Sequence, residues 1–255
     1  MVGGHGVTFT FPSNGDGHSF CAFNCKNTLI TDEWREAILV LHNKNRRTLA
    51  NGEQQGKTGT LPKAAKMNQL QWDCATEEVA QTQAANCGSS APVPPTNYGT
   101  VVIKAKISGD CDPTTLAKTA IRNVWKEGAK KQTGATGNAY VAGNSKFNMM
   151  AYQETDGVGC SYQRCSGELY IVCFYNKDPA QVKPAPADLY ATAATTCADC
   201  PQVNGVSTCV DALCQKELTR ELLTEKFYKG RCYASGSILV HEHERVVEKA
   251  INAAI

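Results

Sequence analysis

The sequence predicts an α+β layered domain stapled by disulfides, and three observations point there. Apolar residues recur at helical spacing through the first half, strand-like runs replace them after residue 145, and 13 of the 255 residues are cysteine. Helices followed by a meander are the element order of an α+β domain. Thiols in this number suit an oxidising compartment, where they pair, and an odd count leaves at least one outside an intrachain pair. With 42% hydrophobic and 20% charged residues the composition is globular, which excludes disorder and coiled coil. Twenty-six basic against 24 acidic residues leave a net charge of +2, so composition offers no argument for a nucleic-acid or polyanion partner. No run reaches the roughly 18–20 apolar residues of a membrane span. The opening MVGGHGVTF has neither a basic nor an apolar leader region, and the expectation is a mature secreted protein whose leader a start codon has replaced.

Taken in order, residues 1–30 carry glycines, Pro12, Cys21 and Cys25 and read as an N-terminal extension tied down by disulfides. The main domain is expected over 31–180. Thr31-Asp32-Glu33 caps a first helix, whose apolar stripe runs through Trp34, Ile38 and Leu41 and which Gly52 can stop. Residues 53–66 form a Gly- and Lys-rich loop. A second helix starts at Asp73 and ends near Asn86. Pro92, Pro94 and Pro95 exclude helix from 88–99. Asp112-Pro113 opens a third helix with Leu116, Ala120, Ile121 and Val124 on its apolar face. FNMMAYQE, VGCSYQ and ELYIVCFY read as three strands joined at Asp156-Gly157 and Ser166-Gly167. From Lys183 a linker leads into a Cys-rich module within 181–233, holding Cys197, Cys200, Cys209, Cys214 and Cys232. The tail, 234–255, is either an amphipathic helix or a frayed terminus. Its His241-Glu242-His243 could pair on a metal if it were a strand; with helical neighbours the three are solvated charges. Cys197-x-x-Cys200 with Cys209-x4-Cys214 has zinc-ribbon spacing, but in a secreted chain the same spacing is a disulfide hinge.

Several of these segments are also familiar. ILVLHNKNRRTLANG at 38–52 resembles the first-helix signature of the CAP superfamily, whose members include Cys-rich secretory proteins, insect venom antigens and plant pathogenesis-related proteins. PKAAKMNQLQWDC, AQTQAANC, KFNMMAYQETDGVGC and YIVCFY continue the match in order, and PKAAKM before the W-D-C step is similar to the Ancylostoma-secreted type of parasitic nematodes. The resemblance spans 31–176. It implies a three-layer αβα sandwich with a C-terminal Cys-rich hinge, and disulfides Cys160–Cys173 and Cys87–Cys165. Cys21, Cys25, Cys74 and Cys111 are left unassigned.

Many members hold a divalent cation with two His and two Glu. At the matching positions this chain has no His after Cys87, Thr100 in place of Glu, Glu127 retained in Trp125-Lys126-Glu127, and Lys146 in place of the second His. One suitable donor of four implies that no metal and no cofactor is bound. On the same reading, restoring Lys146→His and Thr100→Glu assembles three donors and brings zinc affinity back stepwise. The signature residues His42, Asn43 and Arg46 sit on the first helix. His42 is either a general base or, the preferred reading, an internal hydrogen-bonding group.

No poised nucleophile, acid–base pair or metal set is present, so the expectation is a binding protein rather than an enzyme. Resemblance to family members that antagonise host integrins on platelets and leukocytes implies a host cell-surface receptor as partner. Ser108-Gly109-Asp110, a Gly-Asp step before Cys111, could present a carboxylate to such a receptor, or be a plain turn before Asp112. The alternative function is sequestration of a lipid or sterol in an apolar cleft.

Overall fold

The computed structural model describes residues 23, 25–26, 29–109, 112–132, 137–182, 186–203 and 205–216. The three long helices each begin where a side chain satisfies orphan amides of the first turn. Thr31 accepts from the Trp34 amide and opens α1, Asp32–Ala50. Asp73 accepts from Ala75 and Thr76 and opens α2, Cys74–Ala85. Asp112 accepts from Thr114 and Thr115 at the start of α3, Pro113–Lys130, where Pro113 sits in a turn that needs no amide donor.

Four strands form one sheet: β1 Gln71–Trp72, β2 Gly99–Lys106, β3 Gly157–Cys165 and β4 Glu168–Tyr175, in the order β1-β3-β4-β2. β4 pairs antiparallel with both β2 and β3, and β1 runs parallel to β3. Ser166 and Gly167, at φ 44° and 85°, supply the left-handed pair that a two-residue hairpin between β3 and β4 requires. Side chains alternate across the sheet. Leu169, Ile171, Cys173 and Tyr175 of β4 join the core under α1 and α3, while Tyr170, Val172 and Phe174 join Ala80 and Ala84 of α2 on the other face. The result is a three-layer αβα sandwich with β4 buried on both sides.

Two elements differ from the sequence reading. FNMMAYQE is not a strand: after a short 3-10 turn, Ala142–Asn144, residues Ser145–Ala151 form helix α4. Phe147, Asn148, Met149, Met150 and Ala151 are all buried, and an apolar run buried all round has no periodicity by which helix and strand could be told apart. Conversely, the sequence pattern signals no element over 99–106, yet β2 pairs with β4 along its whole length. Val101, Ile103 and Ala105 face the α1/α3 core, and Val102 on the other face blurs the alternation.

The segment expected as linker does not behave as one over 187–191. Leu189 and Tyr190 are fully buried, Ala65 and Tyr140 donate amide hydrogen bonds to Ala191 and Ala187, and the Tyr190 hydroxyl donates to Pro62. Beyond it come two small hairpins, β5 Gln202–Val203 with β6 Val206–Ser207 and β7 Cys209–Val210 with β8 Leu213–Cys214. Disulfides Cys197–Cys209 and Cys200–Cys214 join the segment before β5 to the β7–β8 hairpin. The Cys214 amide and carbonyl bond to Met67 and Gln69, docking this module on the main domain. Cys21, Cys111, Cys232, the 234–255 tail and His241–His243 lie outside the described residues, as does Asp110.

Candidate functional site

The chemistry-bearing residues of α1 point into the core rather than a cleft. Asn43 clamps one backbone unit, its amide donating to the Leu70 carbonyl at 3.0 Å while its oxygen accepts from the Leu70 amide at 2.9 Å. Arg46, with no exposed surface, donates to the carbonyls of Asn68, Met150, Tyr152, Gln153 and Thr155 at 2.8–3.4 Å. Burial lowers its pKa to about 9, which leaves it a cation at neutral pH. It ties the entry to β1 to the end of α4 and the chain that follows it, one guanidinium serving five backbone carbonyls.

His42 is also buried. Its Nδ1 lies 2.8 Å from the Ile38 carbonyl, which can only accept, so Nδ1 carries the proton; Nε2 then accepts from the Tyr175 hydroxyl at 2.8 Å. Burial pulls the His42 pKa down to about 4, partly opposed by the Ile38 hydrogen bond and assisted by the charge on Arg46. Both nitrogens of this buried, neutral imidazole are engaged in internal hydrogen bonds, one within α1 and one to β4. A second buried group, missed in the sequence, joins the layers past the β1 edge. Arg35 of α1 makes a bidentate pair with Glu77 of α2 at 2.6 and 2.7 Å, and the Trp72 indole donates to the same carboxylate at 2.7 Å. Helical spacing signals neither partner, because the contact is long-range.

The positions matching the family's metal set are distributed as follows. Glu127 on α3 is exposed, and its carboxylate accepts from Lys130 at 2.9 Å; that hydrogen bond and the lysine charge hold its pKa below the ordinary glutamate value. Lys146 is exposed on α4, close by, since a Cβ on Gly128 would run into Phe147. Thr100 is elsewhere. Val101 faces the α1/α3 core and Gly99 faces Met149 of α4, so Thr100 between them faces the α2 layer, with Phe174 opposite in register. The sheet itself separates Thr100 from Glu127. The stepwise zinc gain expected on restoring both positions therefore has no geometric basis.

Among the described residues two groups have atoms close enough to share a cation, His42 with Cys160 and Cys173, and Cys197 with Cys200 and Cys214. All five sulfurs are in disulfides and none is a thiolate ligand. Cys160 and Cys173 face each other in register across β3 and β4 and are bonded. Cys87–Cys165 joins the end of α2 to the sheet, and Cys25–Cys74 ties the residues before α1 to the start of α2. Ser108 and Gly109 are exposed after β2, on the path to α3.

A cavity of about 390 Å³ opens between the loop after α1 and the C-terminal end of α3. Gly52, Gly56, Lys57, Lys63, Gln132 and Gly137 line it. Gln132 is 4% exposed, and among the described residues neither its side-chain nitrogen nor its oxygen has a hydrogen-bond partner. The Gly- and Lys-rich composition of 53–66 was the one sequence signal for this place.

Residues 39–175 match the profile of the CAP family, described as the cysteine-rich secretory protein family. Ancylostoma secreted protein from Ancylostoma caninum is 33% identical over 195 residues, covering 76% of this chain and 45% of that protein. Among solved structures, Na-ASP-1 superposes with a TM-score of 0.64 at 31% identity, covering 77% of this chain and 49% of the other. This chain thus spans about half the length of both. Hookworm platelet inhibitor superposes with a TM-score of 0.51 at 23% identity over 69% of this chain and 85% of that one, a likeness of fold alone.

Proposed function

Since this chain belongs to the CAP family, in the type represented by Ancylostoma secreted protein, we propose that it acts extracellularly as a non-enzymatic ligand of a host cell-surface receptor, of the integrin class, and antagonises adhesion. The observation that carries this reading is how the chain spends its reactive side chains. His42, Asn43, Arg46 and the Arg35–Glu77 pair are all consumed in holding layers and loops together, and Glu127 is paired with Lys130. That distribution favours a rigid scaffold presenting surface over one presenting a catalytic group. Five disulfides among the described residues suit the extracellular setting. Sequestration of a lipid draws less support, because the cavity beside the end of α3 is walled mainly by glycines, lysines and threonines, a poor lining for an acyl chain.

The test is inhibition of platelet and leukocyte adhesion to immobilised integrin ligands by micromolar oxidised protein, with capture of the receptor from detergent-solubilised host membranes. Dose-dependent inhibition with an integrin captured supports the reading. Full adhesion of both cell types with no integrin captured retires it.

A further inference from the structure

The near-neutral composition conceals an uneven placement of charge. On α3, Lys118, Arg122, Lys126 and Lys130 follow one another at intervals of four, with Lys131 capping the helix. Residues four apart lie on neighbouring turns of one face, so this row runs about 18 Å along the helix. The opposite face, Ala117, Ile121, Trp125, Gly128 and Ala129, is buried in the core, which turns the basic row outward. Arg122, Lys126, Lys130 and Lys131 are exposed and Lys118 half-buried. Glu127 is the single acid within the helix, and it engages Lys130.

The row ends at the cavity described above. Gln132 follows Lys131 directly, and the Trp125 indole donates to Gln54 at 2.7 Å, pinning α3 to the loop that carries Lys57 and Lys63. The buried Gln132 amide brings a donor and an acceptor to the cavity wall with no hydrogen-bond partner among the described residues. A buried unpaired amide is costly, and a ligand rich in hydroxyl and acidic groups would relieve that cost.

We propose that the basic face of α3 and the cavity at its C-terminal end form a binding site for a sulfated polysaccharide. The row supplies cations to sulfates and carboxylates spaced along an extended chain; the cavity takes one sugar, with Gln132 reading its hydroxyls. The surface argues against the other extended anions. The large hydrophobic side chains exposed among the described residues are Leu29, Val93, Val182 and Val206, none of them on α3. An anionic bilayer would therefore find no apolar anchor on this face, and single-stranded nucleic acid no aromatic platform. This inference is independent of the receptor reading.

The intact oxidised protein is tested by titration with heparin, chemically desulfated heparin, vesicles containing phosphatidylserine, and single-stranded DNA. Heparin should bind in a salt-dependent manner and the other three at least about tenfold more weakly. Arg122→Glu with Lys126→Glu should weaken heparin binding about tenfold or more, with the circular dichroism spectrum unchanged. Lys104→Glu with Arg164→Glu makes the same charge change on β2 and β3, and should leave binding close to wild type. Gln132→Ala should lower affinity for heparin without altering its salt dependence. Equal loss in the two charge-reversed proteins would overturn the site, as would absence of heparin binding. Vesicles or DNA binding as tightly as heparin would overturn the ligand class.

Discussion

Protonation of His42 should set an acid limit on the stability of this protein. Buried between Ile38 and Tyr175, the imidazole has a pKa of about 4 in the folded chain, against an ordinary histidine value of about 6.5. Between those values the unfolded chain takes up a proton that the folded chain refuses. Stability is thus full above about pH 6.5 and falls as pH drops towards about 4, where the folded state protonates too and the slope ends. A gap of about 2.5 pH units at about 1.4 kcal/mol each caps the loss at about 3 to 4 kcal/mol, of which about 3 kcal/mol has accrued by about pH 4, a large share of a typical domain's total. The measurement is denaturant unfolding with disulfides intact, followed by tryptophan fluorescence at a series of pH values, for the wild type and for His42→Gln. The variant should be less stable near neutral pH, having lost the ring and its bond to Tyr175. Its deficit should shrink by about 3 kcal/mol as pH falls to about 4, because only the wild type has this proton to take up. Other groups, such as Asp156 with its depressed pKa, titrate in both proteins and cancel in the difference. Two stability curves that fall in parallel would refute the assignment of a buried, neutral His42.

Arg46→Lys keeps the charge but offers three donors where five carbonyls now accept, so thermal and denaturant unfolding should show a loss of about 3 kcal/mol. Gly159→Ala should cost about 2 kcal/mol and shift α2: a Cβ there would stand 2.5 Å from the Glu77 amide and 2.7 Å from the Asp73 carbonyl, backbone that cannot rotate away. Calorimetry of Thr100→Glu with Lys146→His should detect no submicromolar zinc site, because the sheet keeps residue 100 away from Glu127; tight binding lost again in Glu127→Ala would show that the register of β2 is wrong.

What the sequence determined by itself is whatever local chemistry decides. Thr31, Asp73 and Asp112 start their helices because a side-chain oxygen three or fewer residues away satisfies free amides, and Ser166-Gly167 turns the chain because the backbone there needs positive φ. The ordered run of family motifs carried the sandwich as a resemblance, since their spacing encodes a topology that no single segment shows. Three other features were decided only in three dimensions. The run 145–151 became a helix whose last five residues, 147–151, are all buried against α3 and the sheet, leaving no alternation to read. Thr100 lost its place beside Glu127 because strand register, which alternates faces at every residue, is set by the pairing of β2 with β4. The charge row on α3, invisible in a net charge of +2, follows a four-residue interval in the sequence, but that it stays exposed was decided by which face of the helix the core buries. Burial and pairing are properties of neighbours distant in sequence, so composition and local period could carry neither.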